Sequence, residues 1–365
     1  MALGAAAVAL LTSGCGWLQL GANAGRTSFN KDETKLTAAT LGSVTQLWSQ
    51  TEQGTATAPI VNDNTLYVAT GATMTAYNAT TGAVVWQKSV AKVGGTVVLQ
   101  APFWYKGRVG AFYSEKEDTH ASQLNGIVDF EYDATTGEVH ANDVSFGAMI
   151  VPRGFVARGT EFAATATARA SGQSAAAVSY GADSTATDNK TGILSLTATD
   201  WPTQPMMLGR RVFVSAGNKV FAFDMDSCPA STVLPATGFC GWTWSVTLEP
   251  DDPWALAGMP VAIGDDAIAV PVDGGELRVL DAATGAEQWR GSVGTNDRGL
   301  AVADGVIYSV SPDDRLYAWN ASGCGAATCD PLWAGIVEFT PMTAPVVAGG
   351  LVYVGSANHV RAFPV

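Results

Sequence analysis

The sequence predicts an all-β fold: a β-propeller of seven four-stranded blades, with eight as the alternative count. Three observations predict it. A hairpin motif recurs at residues 76–86 (AYNATTGAVVW), 131–140 (EYDATTGEVH) and 280–289 (LDAATGAEQW), with a weaker copy at 187–197 (TDNKTGILSLT). Three short apolar strands precede such turns, as in residues 58–79, 261–282, 300–321 and 344–365. The two ends are complementary. The last unit stops after three strands, whereas residues 44–51 (VTQLWSQT) read as a fourth strand with nothing before it.

Each element has a local cause. In the motif a strand runs into Asn or Asp, whose side chain caps backbone amides, and the following Thr-Gly closes a hairpin because Gly accepts positive φ. The Trp after the turn is expected to fill the space between neighbouring sheets. Upstream, runs such as APIVNDNTLYVATGATMTAYNA alternate or are wholly apolar between Gly, Asp and Asn, the pattern of short strands. Fourth strands fall at Trp48, Trp86, near His140, near Leu196, and at Trp244, Trp289 and Trp333. A repeat of about 38 to 55 residues with four strands is a propeller period. Joining residues 44–51 to the C-terminal unit completes the seventh blade and removes open edges. Residues 101–200 are degenerate, with small residues in FAATATARASGQSAAAVSYGADS where aromatics are expected.

Composition agrees. The 365 residues are 47% hydrophobic and 15% charged, with 40 glycines, which describes a turn-rich chain that forms a core. The net charge of −13 repels phosphate backbones, so nucleic acid is not an expected partner.

Two hairpins replace Thr-Gly with cysteines: FAFDMDSC…CGWTW (221–244) and LYAWNASGCGAATCDPLW (316–333). The second is a lengthened connection between the third and fourth strands of a unit, with a staple across it. Cys228 with Cys240 and Cys324 with Cys329 are expected as disulfides. The rival is one zinc site from all four thiols, but zinc knuckles usually keep two residues between paired cysteines, unlike the spacings here. The fifth cysteine, Cys15, follows MALGAAAVALLTSG, an apolar run too short to span a bilayer. That run resembles the second half of a bacterial lipoprotein signal, which implies lipidation at Cys15. The expected organisation is a signal segment 1–14, an anchor and lead-in linker 15–43, and the propeller 44–365.

Catalytic residues, a cofactor set and metal ligands are not expected. His120 lies in a charged insertion, His140 near a Trp slot and His359 in the last repeat. G-x-S-x-G, H-E-x-x-H, the P-loop and G-x-G-x-x-G do not occur. DMDS (224–227) lacks the rest of an EF-hand loop. Repeated tryptophans belong to core packing. The less regular GWTW (241–244), EPDDPW (249–254) and PFWY (102–105) are candidates for a binding face. Sequons at Asn78, Asn189 and Asn320 arise from the turn and imply no glycosylation.

The combination A-P-V-V…G-L-V-Y-V-G-S…A-F with D-A-A-T-G…W resembles the quinoprotein (PQQ-like) β-propeller repeat over residues 44–365. Residues 16–30 (GWLQLGANAGRTSFN) and GCGAATCDPLW look like segments of secreted actinobacterial propellers of this group. The resemblance implies the fold. It covers calcium- and quinone-dependent dehydrogenases, and also non-enzymatic lipoproteins such as the propeller subunit of the outer-membrane barrel assembly machinery. The dehydrogenases carry adjacent cysteines against the quinone; this sequence has none. The expectation is therefore a non-catalytic monomer without cofactor, lipid-anchored outside the cytoplasm of a Gram-positive cell, which binds a protein or cell-envelope ligand. The alternatives are a PQQ- and calcium-dependent redox module and a ligand sensor.

Overall fold

The computed structural model describes residues 22, 28–33, 46–90, 97–99, 101–105, 108–115, 129–142, 152–158, 161–170, 173–182, 190–195, 203, 206–224, 242–249, 252, 255–291, 299–311, 313–337 and 343–364. All regular elements among them are strands, and they form seven sheets. Blade 1 holds Ile60–Asn62, Thr65–Thr70, Thr73–Asn78 and Val84–Ser89. In blade 2 the innermost strand comes in two pieces, Val97–Leu99 and Phe103–Tyr105, both against Arg108–Glu115; Asp129–Asp133 and Val139–Asn142 follow. Blade 3 is Pro152–Arg158, Glu161–Ala170, Gln173–Ala182 and Lys190–Ser195, so the alanine-rich stretch does pair as strands. Blade 4 is Met206–Leu208, Arg211–Ala216, Lys219–Asp224 and Trp244–Thr247.

Blade 5 is Val261–Ile263, Ala267–Val272, Glu276–Asp281 and Glu287–Gly291. Blade 6 is Leu300–Ala303, Val306–Ser311, Arg315–Asn320 and Trp333–Ile336. Blade 7 takes Val346–Ala348, Leu351–Gly355 and His359–Pro364 from the C-terminus and Trp48–Thr51 from the N-terminal side. Trp48 lies opposite Ala362 and Thr51 opposite His359, the pairing expected from the two incomplete ends.

The core lies between sheets. Second strands such as Ala267–Val272 and Val306–Ser311 are buried at every residue, because both faces meet neighbouring sheets. One apolar cluster joins blades 4 and 5, a second joins blades 5 and 6, a third runs through blades 6, 7 and 1, and a fourth joins blades 1 and 2. Each fully buried aliphatic or Phe side chain in them contributes about 1.5–3 kcal/mol relative to exposure.

The recurrent turn explains how sheets are keyed together. Asn78 Oδ1 accepts hydrogen bonds from the amides of Thr80 (3.1 Å) and Thr81 (2.9 Å), and Gly82 follows at φ 72. Asp133 and Asp281 do the same for Thr136 and Thr284, each 2.8 Å away. The preceding blade's Trp lies on this platform. Trp48 Nε1 donates to Ala79 O (2.9 Å), Trp86 to Ala134 O (2.9 Å) and Trp244 to Ala282 O (3.2 Å). A Cβ on Gly82 would sit 2.7 Å from the Trp48 ring, and one on Gly137 2.6 Å from Trp86. The glycine thus serves both the turn and the socket.

Two short strands stand outside the repeat. Phe29–Asn30 pairs in parallel with Leu300–Ala303, the innermost strand of blade 6. Residues 28–33, part of the expected linker, are therefore packed into the propeller. Thr328–Cys329, an arm of the stapled hairpin of blade 6, pairs in parallel with Glu287–Gly291 on the outer edge of blade 5.

Candidate binding face and propeller axis

Antiparallel order gives the propeller two unlike faces. The turn face carries the connections between first and second and between third and fourth strands, including the Thr-Gly sockets. The link face carries the connections between second and third strands and the links from one blade to the next. Socket chemistry occupies the first.

At the axis, Phe29 packs against the clusters of blades 4 to 6, while Asn30 Nδ2 donates to Val347 O of blade 7 (2.8 Å). Glu33, only 1% exposed, accepts from the Gly350 amide at 2.8 Å in the first turn of blade 7. Its negative charge raises the pKa of Tyr308 and Tyr353, after the larger effect of their burial. The lead-in therefore lies along the axial side of the inner strands and bridges blade 6 to blade 7.

On the link side, one position distinguishes the blade junctions. Four residues after Trp48, Trp86, Trp244 and Trp333, a backbone amide ties the link to the neighbouring turn: Glu52 to Asn358 (2.7 Å), Val90 to Ala72 (2.9 Å), Leu248 to Asn218 (2.9 Å) and Val337 to Asp314 (2.8 Å). Three of these side chains are aliphatic wedges; the one following the closing strand is glutamate. Glu52 is 5% exposed and accepts from Tyr77 Oη (2.6 Å) and Thr70 Oγ1 (3.0 Å). Burial and this carboxylate both push the Tyr77 pKa upward.

A second polar group lies between blades 4 and 5. Arg278, with its side chain 3% exposed, pairs with Glu249, with Glu276 (2.6 Å) and with Glu287 (2.9 Å); Arg290 also holds Glu287 at 2.7 Å. Burial alone would lower the guanidinium pKa, but Glu287, Glu276 and Glu249 outweigh it and raise it. The equivalent residues of other third strands are Thr75, Phe221, Tyr317 and Arg361. The cluster pins a link-face seam by charge, as a carboxylate sphere can do for a buried guanidinium.

The residues singled out in the sequence are distributed as follows. Cys324 and Cys329 are bonded to each other. Cys15, Cys228, Cys240, His120 and Trp254 lie outside the described residues, as do three of the four residues of DMDS. His140 is in the fourth strand of blade 2. His359 Nδ1 meets Asn358 Oδ1 at 2.7 Å. Trp104 packs beside Tyr67, so PFWY serves the blade 1–2 core, whereas Trp242 is half exposed and meets Phe221 edge-on. Among the described residues, no group of three or more His, Cys, Asp or Glu side chains is arranged to hold a metal ion.

Glu52, the Arg278 cluster and the axial lead-in went unforeseen. Glu52 was visible in principle as a charged residue standing where aligned repeats carry Val or Leu.

Fold and seams define a class: a β-propeller of four-stranded blades keyed by tryptophans on Thr-Gly turns. A family model described as "Outer membrane protein assembly factor BamB" matches residues 32–234 and 273–364. The chain belongs to this family of PQQ-like propeller repeats. No curated protein matches the sequence. Among solved structures, quinohemoprotein alcohol dehydrogenase from Comamonas testosteroni is similar with a TM-score of 0.52 at 13% identity, over 96% of this chain and 80% of that one. Raptor from Chaetomium thermophilum is similar with a TM-score of 0.61 at 12% identity, over 90% and 29%. The WD40 propeller domain of Doa1 gives 0.57 at 10% identity, over 88% and 97%. At these identities the likeness shows the fold.

Proposed function

We propose that this chain is a non-catalytic scaffold outside the cytoplasm, held to the membrane by lipid at Cys15, that offers its link face to a protein or cell-envelope ligand. The observation that carries the proposal is the axial lead-in. A propeller's natural concave site is its axis, and small-molecule sites need concavity. Here Phe29, Asn30 and Glu33 place the protein's own chain along the axial side of the inner strands. The family description, an assembly factor, supports a binding role.

The second reading is a PQQ- and calcium-dependent redox module, favoured by the likeness to a quinohemoprotein dehydrogenase. Against it stands the lead-in, with Phe29 packed and Asn30 bonded beside the inner strands. Titration with PQQ and calcium separates the readings. Unchanged visible absorbance and no dye-linked oxidation of alcohols or sugars are expected; oxidation would overturn the scaffold. Crosslinking at the membrane should recover a defined partner. Cys15→Ala should move the protein from the membrane to the soluble fraction, and an unchanged distribution would count against the anchor and toward a soluble ligand sensor.

A further inference from the structure

The stapled hairpin of blade 6 does two jobs at one place. Cys324 sits on the hairpin itself and is exposed, whereas Cys329 is 3% exposed and lies on the strand that pairs with blade 5. Arg290 N donates to Ala327 O at 2.9 Å, so the arm covers an edge amide of the neighbouring blade. At this seam Trp289 packs against Gly323 as expected, yet its Nε1 is buried without a hydrogen-bond partner. At Trp48, Trp86 and Trp244 that N–H ties blade to blade. Here the tie is the arm, and the disulfide holds the arm.

We propose that the Cys324–Cys329 disulfide is a thiol-exchange site that latches blade 6 onto the outer edge of blade 5. Attack depends on access to sulfur and on how well the other sulfur leaves. An external low-molecular-weight thiolate reaches Cys324 Sγ, next to a surface recess lined by Trp319, Asn320, Asp330 and Leu332. Its sulfur bonds to Cys324 Sγ, the Sγ–Sγ bond breaks, and the electron pair stays on Cys329 Sγ. The Cys324 amide, 3.0 Å from that sulfur, donates to the developing thiolate. A second thiolate then attacks the mixed disulfide, releases Cys324 thiolate and leaves with the first thiol as their disulfide. The cystine gains two electrons and two external thiols lose them. A closed loop this short gains little from cross-linking entropy, so the latch is not locked by a large stabilisation. Once open, the edge of Glu287–Gly291 is unpaired and available to another strand.

The test uses the full-length oxidised protein with millimolar reduced glutathione under native conditions. Differential thiol alkylation with mass spectrometry should show Cys324 and Cys329 reduced while the protein stays folded. Hydrogen exchange at the Arg290 amide should then accelerate at least tenfold, with Val279 in the same sheet unchanged. Cys324→Ser/Cys329→Ser should show the fast Arg290 exchange without any thiol. In the single variant Cys329→Ser, oxidised glutathione should cap Cys324. A disulfide that resists glutathione until global unfolding, or an Arg290 amide equally protected after reduction, would overturn the proposal.

Discussion

The seams closed by Trp86 and by Trp289 begin from the same ingredients and end with different ties. In both, an indole from a fourth strand lies across a glycine of the next blade's hairpin. At Trp86 the hairpin is Asp-Ala-Thr-Thr-Gly, and the Ala134 carbonyl takes the indole N–H at 2.9 Å. At Trp289 the hairpin is Asn-Ala-Ser-Gly-Cys, the N–H is unpaired, and a strand arm reaches back onto the previous blade instead. Packing is thus conserved between the seams while directional bonding is exchangeable. The indole's apolar area keys the sheets; the hydrogen bond is an addition that another device can replace.

The largest effect that would sharpen this contrast is loss of the ring itself. Trp48→Ala and Trp86→Ala should each lower stability by about 3–5 kcal/mol in denaturant titrations. An effect below about 1 kcal/mol would mean that surface packing elsewhere holds the seams. Next come the glycines. Gly82→Ala meets both the positive φ and the Trp48 ring and should cost about 2–3 kcal/mol, whereas Gly71→Ala, at φ 56 with nothing within 4 Å, should cost only about 1 kcal/mol. Equal losses would show that the socket adds nothing beyond backbone strain.

A subtler comparison replaces the indole by a ring without N–H. Trp86→Phe should cost about 1 kcal/mol more than Trp289→Phe, because only the first leaves a carbonyl without its donor. The smallest effect concerns acid. The hydroxyl and amide of Thr284 hold the Asp281 carboxyl below its ordinary value. A carboxylate with a depressed folded pKa stabilises above its unfolded value, and that stabilisation fades as pH falls through the folded one. Asp281→Asn should therefore flatten the acid limb of a stability–pH curve, and an unchanged limb would remove the turn from the account.

The strand plan was legible because the same turn chemistry recurs, and each copy marks a third strand before it and a fourth after it. The weaker copy is the exception: Thr191 and Gly192 lie inside the fourth strand Lys190–Ser195, opposite Ser179 and Val178, and form no turn before it. What stayed hidden were contacts lacking a repeat. A two-residue strand at Phe29–Asn30 shows no alternation, and the parallel pairing of Thr328–Cys329 depends on a partner almost forty positions earlier. Arg278 shares its slot with Arg361 of blade 7 and so did not stand out, and its partner Glu249 belongs to another blade, brought near only by the packing of sheets. Glu52 was hidden for the same reason: its donors Thr70 and Tyr77 come from the following blade.

Blade 7 draws its outer strand from near the start of the chain and its other three from the end. During synthesis Trp48–Thr51 emerges early and has no mate until nearly the whole polypeptide is out. Pairing over such a span is among the slowest steps a folding chain performs. Throughout that wait the strand and its Trp48 ring are open to the wrong neighbour, so a holding chaperone would act chiefly on Trp48–Thr51. Removal of the last six or so residues would leave that strand permanently unmated.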